Sequence, residues 1–296
     1  MPSLKEKVYE KMLLFCAMAS TLAVVLVGLF VFLQGYPLLA KTGFISFVFG
    51  KEWLPGEGVF GIFPMVIGTL AVTLGALVIG VPLGVTTAVF LAEYAPETVA
   101  LWIRRAVELL AGIPSVVYGL FGMTVIVPVV RYIAVHWFGE VLSPEMKTGF
   151  GIIAASIVLG IMILPTVVSI SEDALRAVPK EYKEGSYALG VPRWQTIIHN
   201  TIPAARSGIM AGVVLGMGRA VGETMAILMV AGNAPALPRS VFSPTRTLSG
   251  NIGLEMSYAS GEHAQALFAT GIVLFIVIML LNSFALFIAG KGVKVR

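Results

Sequence analysis

Two charged residues lie inside an apolar stretch of this sequence that is long enough to cross a membrane. The run 207–230 contains no charged side chains other than Arg219 and Glu223. A charge at the centre of a bilayer costs roughly 2.5–3.5 kcal/mol, and more on some scales. Arg219 lies 13 residues beyond Arg206, which is about 20 Å along a helix. Both residues are therefore candidates for a functional site at membrane depth.

An arginine and a glutamate in this arrangement indicate a site that binds an anion. Residues four apart share one face of a helix, so we expect Arg219 and Glu223 to form an ion pair. A guanidinium can hold an oxyanion with two parallel hydrogen bonds, and the glutamate would weaken that grip so that the anion can leave. The alternative is an ion pair that only locks two helices together.

Small residues recur on the same predicted helix and indicate which way the pair faces. They stand at every fourth position, as Gly208, Gly212, Gly216 and Ala220. Such a stripe lets a second helix approach closely. At about 100° per residue, Arg219 and Glu223 lie within roughly 60° of the stripe, so we expect them to face protein or a cavity rather than lipid.

A second polar feature interrupts another apolar run, at Gly112-Ile113-Pro114-Ser115. Pro114 removes a backbone donor and frees a carbonyl, which would expose polar backbone at membrane depth. Broken helices of this kind line substrate sites in transporters, although a simple proline kink explains the same sequence. Ser115, and Thr224 beside Glu223, are secondary candidates for the substrate path.

The composition places these residues in an integral membrane protein. Hydrophobic residues make up 57% of the 296 residues and charged residues 12%, against about 25% charged residues in soluble domains. The mean hydropathy is +0.93. Cys16 is the only cysteine, so no internal disulfide can form. The three histidines are widely spaced and predict no metal site, and we expect no cofactor.

Six apolar runs predict an all-α fold with six membrane-spanning helices. A bilayer core needs about 20 apolar residues in a helix, and a helix satisfies its own backbone hydrogen bonds in lipid. The runs are too long and too uniformly apolar for barrel strands. We predict one transmembrane domain over residues 1–296, with helices at about 12–34, 62–92, 107–131, 148–171, 207–231 and 264–290.

The distribution of lysine and arginine predicts the orientation of these helices. If the N-terminus is cytoplasmic, the inner segments hold 13 of these residues and the outer loops 6, and Arg219 completes the 20. Cytoplasmic segments carry the excess of positive charge, so both termini are predicted to be cytoplasmic. The first apolar run, 12–33, exceeds the roughly 7–15 residues of a secretory signal, and we predict that it is a retained helix.

The longest predicted cytoplasmic loop, residues 172–206, has a pattern typical of a folded element. Its charges alternate in sign at helical spacings, and Pro179 and Pro192 punctuate it. We predict a short helix, a turn at Gly190-Val191-Pro192, and a second short helix up to Pro203. An amphipathic surface hairpin with no special task would show the same spacing.

The residues of this loop resemble the EAA loop of ABC-importer permeases. The resemblance lies in Glu184-Gly185-Ser186-Tyr187-Ala188-Leu189-Gly190, followed by Ile202-Pro203. The sequence departs from the family pattern at Gly185 and Ser186, where alanines are usual, and at Asn200, where an isoleucine is usual. The loop of that family docks into a groove on the ATPase subunit. The resemblance implies this coupling role for Glu184, Gly185, Ser186, Gly190 and Pro203.

Three further segments, residues 93–96, 108–119 and 218–226, resemble the PstC permeases of bacterial phosphate ABC transporters. The match spans most of the chain from about Trp53. It implies a type I ABC-importer permease in the bacterial cytoplasmic (inner) membrane, with phosphate as the substrate and Arg219 and Glu223 on its path. The implied partners are a second permease subunit (PstA-like), ATPase subunits (PstB-like) and an extracytoplasmic phosphate-binding protein (PstS-like).

Other functions are excluded or weakened by what the sequence lacks. It contains no G-x-x-x-x-G-K-[ST] motif, so a partner subunit must hydrolyse ATP. No H-E-x-x-H motif and no aspartate in a predicted span support an intramembrane enzyme, and no nucleic-acid partner is predicted. Two alternatives stay open: an importer of another oxyanion, and a self-contained secondary anion carrier. A carrier predicts more charges within the spans, inverted repeats and no docking loop.

Overall fold

The computed structural model describes the backbone of residues 4–290 and the side chains of residues 8–285 and 287. This part of the chain consists of α-helices and the loops that join them, one β-hairpin, and short 3-10 and π-helical segments. The helices are α1 (Leu4–Thr42), α2 (Phe44–Phe49), α3 (Phe63–Val89), α4 (Glu97–Gly112), α5 (Ser115–Phe121), α6 (Val127–Phe138), α7 (Ile152–Arg176), α8 (Lys180–Ala188), α9 (Arg193–Thr196), α10 (Ile202–Gly222), α11 (Met225–Val230), α12 (Leu248–Glu255) and α13 (Gly261–Gly290). The hairpin pairs β1 (Trp53–Leu54) with β2 (Val59–Phe60) in antiparallel register.

Five helical segments of the described chain are long and apolar enough to cross a membrane. They are Val8–Thr42, Phe63–Tyr94, Ser115–Phe138, Pro144–Arg176 and Gly261–Ala285. The first helix extends well beyond the predicted bounds 12–34. It begins in the polar N-terminal segment, and it continues past Pro37 to Thr42, where Leu38 is buried in the protein. α10 and α11 occupy the sixth predicted span, 207–231.

The bundle is built around α7, which is buried along most of its length. α3 runs parallel to α7 at very close distance. The closest positions are Gly75 against Ser156, Gly80 against Gly160 and Ile163, and Gly84 against Val167. A Cβ added at Gly80 would lie 2.8 Å from the carbonyl oxygen of Gly160. The glycines therefore let the two backbones approach, as small residues do between membrane helices.

α10 packs antiparallel on the other side of α7 through its predicted stripe of small residues. Gly208, Gly212 and Gly216 face Ala174, Ile170 and Val167 of α7, in that order. A Cβ at Gly208 would lie 2.4 Å from the Cβ of Ala174, and Ala220 is 1% exposed. The stripe thus determines which face of α10 packs on α7, and the opposite face is turned away from α7.

The hairpin closes one end of the bundle, which we call the hairpin end. Trp53 and Phe60 of the hairpin are buried with Leu38 of α1 and Leu267 of α13. α1 and α13 run antiparallel here, with Gly35 against Ala269. The opposite end, which we call the α8 end, carries α8 and α9.

Three π-helical segments each end two residues before a proline. Phe90–Tyr94 precedes Pro96, Gly122–Ile126 precedes Pro128, and Ile197–Thr201 precedes Pro203. A proline ring clashes with the carbonyl four residues earlier, and in each case that carbonyl belongs to the wider π turn. The predicted second short helix ending at Pro203 is therefore wrong, since α9 continues through a π turn into α10. The predicted loop 172–206 is also shorter, because α7 continues to Arg176.

The close contact of α3 with α7 predicts the effect of a side chain at Gly80. We expect Gly80→Val to destabilise the fold by about 1–3 kcal/mol, the usual cost of overpacking, because its Cβ meets a backbone carbonyl. Thermal unfolding of the purified protein in detergent measures this. The matched control is Gly28→Val in α1, where no atom lies within 4 Å of the added Cβ. Equal melting temperatures for the two variants would contradict the prediction.

Candidate functional site

The predicted sixth span is divided by a break at Glu223. α10 ends at Gly222 and α11 begins three residues later, while Glu223 itself is extended (φ −68°, ψ 131°). Its Oε1 accepts a hydrogen bond from the amide of Ala226 at 3.1 Å. Its carbonyl oxygen accepts one from Oγ of Ser249, in α12, at 2.8 Å. Glu223 therefore satisfies an amide at the start of α11 that the break leaves without a helical partner.

The predicted ion pair between Arg219 and Glu223 is wrong. Among the described side chains, neither residue forms an ion pair. The reason is that α10 stops before Glu223, whose extended backbone directs the carboxylate to α11 rather than back along α10. Arg219 is partly buried and lies near enough to Tyr118 for its charge to act on the phenol.

A second break separates α4 from α5. Ile113 and Pro114 are both extended, with ψ of 127° and 144°, because the residue before a proline is pushed out of the helical region. The hydroxyl of Tyr118 donates to the carbonyl of Leu110 at 2.7 Å, which also accepts from the amide of Ile113 at 3.2 Å where α4 ends. The feature is thus a break between two helices, not a kink in one. The predicted span of about 107–131 is divided at this break, and α4 begins at Glu97, ten residues earlier than predicted.

The contacts of both breaks with α7 show that they lie at similar depth. Before the first break, α4 packs near Val168 of α7. After it, Gly122 lies against Val158. On α10, Gly216 lies against Val167 and Ile163, one turn before Arg219. Since α7 spans Ile152–Arg176, both breaks lie near its middle.

α5 and α11 pack side by side and bring the two breaks together. A Cβ at Gly119 would lie 2.6 Å from Sδ of Met229 and 3.1 Å from Cα of Ala226. This contact brings Tyr118, one residue before Gly119, within electrostatic range of Arg219. Of the secondary candidates, Ser115 is the first residue of α5, and Thr224 precedes α11 and faces Gly253 of α12. Both are partly buried.

One side of the paired breaks is open in the described chain. No atom lies within 4 Å of a Cβ added at Gly218 or Gly222. The helices on either side of the breaks also carry exposed apolar residues, among them Val117 and Leu120 on α5 and Leu215 on α10. The two breaks, at Ile113-Pro114 and at Glu223, and Arg219 therefore form a site that is open on one side, beside an apolar surface. We call it the half-site.

The turn of the predicted coupling loop is a Schellman motif at Gly190. The amide of Gly190 donates to the carbonyl of Tyr187 at 2.9 Å, and that of Val191 donates to the carbonyl of Ser186 at 3.2 Å, the two bonds that define the motif. Gly190 has φ +79° with no atom within 4 Å of an added Cβ. Backbone conformation, not space, is therefore what requires glycine here.

The departure from the family pattern at Ser186 has a local explanation. Oγ of Ser186 lies 2.8 Å from Oγ1 of Thr196, and both residues are buried between α8 and α9. This hydrogen bond joins the two helices across the turn. Glu184 and Gly185 are exposed on α8, where a partner could reach them.

Comparison with known proteins identifies the family. A family model described as binding-protein-dependent transport system inner membrane component matches residues 80–294. The chain belongs to this family. It is a membrane transport component rather than an enzyme, and components of such systems work with a separate binding protein and an ATPase.

Several relatives cover most of the permease. The probable ABC transporter permease protein YqgH of Bacillus subtilis (strain 168) is 40% identical over 268 residues, covering 88% of this chain and 83% of the relative. The phosphate transport system permease protein PstC of Mesorhizobium japonicum is 36% identical over 280 residues, covering 90% and 85%. PstC of Pasteurella multocida is 37% identical over 245 residues, covering 78% and 75%.

Solved structures with the same fold come from ABC importers. A bacterial alginate ABC transporter, in complex with its pentasaccharide-bound periplasmic protein, contains a chain with a TM-score of 0.61 and 17% identity, covering 95% of both chains. The inward-facing MetNI methionine ABC transporter contains one with a TM-score of 0.57 and 20% identity, covering 79% of the permease and 95% of that chain. At these identities the likeness establishes the fold alone, that of a type I ABC-importer permease.

The sequence did not predict a buried polar network at the hairpin end of the permease. Nη1 of Arg246 donates to Oε1 of Glu255 at 2.6 Å. Oε2 of Glu255 accepts from Nε1 of Trp53 at 2.9 Å and lies 2.8 Å from Nε2 of His263. The network ties the hairpin to α12 and α13. Its four members are far apart in the sequence or lie in loops, and they follow no helical or strand periodicity. No local sequence pattern therefore predicts the network.

The left-handed backbone of Gly190 predicts a specific substitution effect. We expect Gly190→Val to reduce substrate uptake per ATP hydrolysed severalfold while the protein stays in the membrane, since a β-branched residue resists positive φ. Uptake and ATP hydrolysis by the assembled transporter measure this. Gly190→Asn is the matched control, because asparagine adopts this conformation more readily. Wild-type coupling in the valine variant would contradict a role for this turn.

Proposed function

We propose that the chain is the permease subunit of an ATP-driven phosphate importer and forms one half of its translocation path. The observation that carries the proposal is Arg219, a cation without an ion-pair partner among the described side chains, beside two adjoining helix breaks. The relatives named as phosphate transport system permeases support phosphate as the substrate.

Arg219 is proposed to contact the anion directly. Its guanidinium forms no ion pair with a described side chain, so its donors are available for two parallel bonds to a phosphate. The polar backbone of the breaks lies beside it, as in other transporters whose broken helices line the substrate site. Glu223 is proposed to hold the break in shape through the amide of Ala226, rather than to neutralise Arg219. Ser115 and Thr224 remain secondary candidates.

The open side of the half-site is proposed to face a second, PstA-like permease subunit. The two breaks with Arg219 would then line a path between the subunits, closed from lipid by apolar residues of both. PstB-like ATPase subunits and a PstS-like phosphate-binding protein would complete the transporter. The substrate-binding protein would dock at the hairpin end, and the ATPase at the α8 end.

The orientation is proposed from the distribution of charge. The α8 end would be cytoplasmic, because the segments predicted on that side carry 13 lysines and arginines against 6 on the other. Both termini would then be cytoplasmic, and the whole chain one permease domain. Residues 172–206 would contain its coupling element, with Glu184 and Gly185 facing the ATPase.

An importer of another oxyanion is the second candidate. The relative with 40% identity carries a name that specifies no substrate, and a guanidinium binds other tetrahedral anions by the same geometry. Uptake of radiolabelled phosphate by the whole transporter, with sulfate and molybdate as competitors, separates the two candidates. Strong competition by either anion would favour the second.

Substitution of Arg219 tests the proposed anion contact. We expect Arg219→Gln to lower phosphate uptake by at least about tenfold, the effect of losing roughly 1.4 kcal/mol or more of interaction in a low-dielectric path. Membrane abundance should stay normal, since no ion-pair partner is left unpaired. Uptake per unit of membrane protein is the measurement. Arg206→Gln is the matched control, because Arg206 is exposed on the same helix. Equal uptake in both variants would overturn the assignment.

The position of the Glu223 carboxylate predicts a difference between two neutral substitutions. A glutamine at 223 keeps an oxygen that can accept from the amide of Ala226, whereas alanine removes it at a cost of about 1 kcal/mol. We therefore expect Glu223→Gln to retain most of the uptake and Glu223→Ala to lose most of it. If the glutamine variant loses uptake as completely as the alanine variant, the negative charge itself is required.

A further inference from the structure

Helix α4 is held to the bundle by few apolar contacts. Ala100 is its only buried residue over Glu97–Gly112, and Ile103 and Val107 pack partly on Val168 of α7. Four other large apolar side chains of α4 are exposed, namely Val99, Leu101, Trp102 and Leu109. Polar contacts therefore have an unusually large part in setting the position of α4, and with it the position of the break at its end.

A buried carboxylate supplies those polar contacts. The side chain of Glu172, in α7, is 6% exposed. Its Oε1 accepts from Nε and Nη2 of Arg104, in α4, both at 2.8 Å, and from Nε of Arg176 at 2.8 Å. Nη2 of Arg176 also donates to the carbonyl of Leu91 at 3.1 Å. Glu172 thus joins α4, α7 and the π turn at the end of α3.

The same π turn holds the α8–α9 element. Glu93, whose side chain is 5% exposed, accepts from Nζ of Lys183 at 2.5 Å. Its carbonyl oxygen accepts a hydrogen bond from Arg193. The guanidinium of Arg193 also lies 4.8 Å from the ring centre of Tyr94. α8 and α9 are therefore attached to the segment that bonds Arg176.

These contacts form one continuous connection from α8 to the half-site. It runs from Lys183 through Glu93 and the π turn to Arg176 and Glu172, and on through Arg104 to α4. α4 is a rigid element of 16 residues, about 24 Å long. At its end the carbonyl of Leu110 accepts a hydrogen bond from the hydroxyl of Tyr118, in α5, which packs beside α11 at the second break.

We propose that Glu172 is a positioning residue that transmits the state of the α8–α9 element to the α4–α5 break, through Arg104. The proposal rests on the proposed function, because it assigns the ATPase to α8. A displacement of α8 moves the π turn, and the shared carboxylate makes α4 follow. Arg104 is the specific link, since Arg176 lies on the same helix as Glu172 and cannot by itself hold α4.

If the role of Glu172 were purely structural, its substitution would have a different effect. It would lower the amount of assembled transporter, and it would lower phosphate uptake and ATP hydrolysis together. A role in transmission separates the two activities. The decisive quantity is therefore the ratio of phosphate imported to ATP hydrolysed, since protein abundance cancels from it.

The test uses the whole transporter in liposomes, with binding protein loaded with radiolabelled inorganic phosphate outside and ATP inside. We expect Glu172→Gln and Arg104→Gln each to lower the phosphate-to-ATP ratio by about two- to thirtyfold, the range for residues on coupling networks. The double variant should match the single variants, because both break the same link. Asp173→Asn and Arg105→Gln, which alter exposed neighbours, should keep the wild-type ratio.

Each other outcome bears on a separate statement. A wild-type transporter that imports no phosphate would overturn the proposed function, before any variant is compared. A wild-type ratio in Arg104→Gln would overturn the role of Glu172, and this variant guards against misfolding because Glu172 keeps Arg176 as a partner. Losses in the double variant that multiply those of the single variants would also overturn it, since the residues would then act independently.

Discussion

The structure of this permease depends on one constraint: every backbone N–H and C=O group at membrane depth must find a hydrogen-bond partner where water is absent. In lipid, non-helical backbone is tolerated only where protein or a water-filled cavity satisfies it. Two helices nevertheless stop near the middle of α7. The hydroxyl of Tyr118 closes the first break at Leu110, and the carboxylate of Glu223 closes the second at Ala226. Because these side chains take over individual backbone groups, the remaining polar groups can be offered to a substrate.

The glycine contacts determine where those breaks lie. α3 and α10 both approach α7 at positions where a Cβ would collide with the opposite helix. Sliding one helix along the other at such a contact is costly, because a shift of one turn would replace the glycine by a residue whose side chain does not fit between the two backbones. Gly119 fixes the position of α5 on α11 in the same way. Packing therefore sets the level of each break, and the breaks meet because the helices that end in them are held in register.

The sequence predicted the membrane-spanning runs, the glycine stripe and the turn at Gly190, and each rests on a local cause. Apolar length, a four-residue repeat and a proline two residues after a glycine are all visible along the chain. The end of α10 at Gly222 has no such cause, since no proline follows it. That break depends on Ser249, from a distant helix. The contacts of Glu172 with Arg104 and of Glu255 with Trp53 likewise join residues that are close only after folding, so a reading along the chain could not find them.

The absence of an ion pair between Arg219 and Glu223 changes the electrostatic argument for the path. A glutamate bonded to Arg219 would compete with an incoming anion, which would first have to displace it. With Glu223 turned to α11, that competition is missing among the described side chains. Under the proposed function the substrate itself supplies the counter-charge of Arg219. The desolvation cost of the Arg219 charge is then highest when the path is empty, and an entering anion lowers that cost.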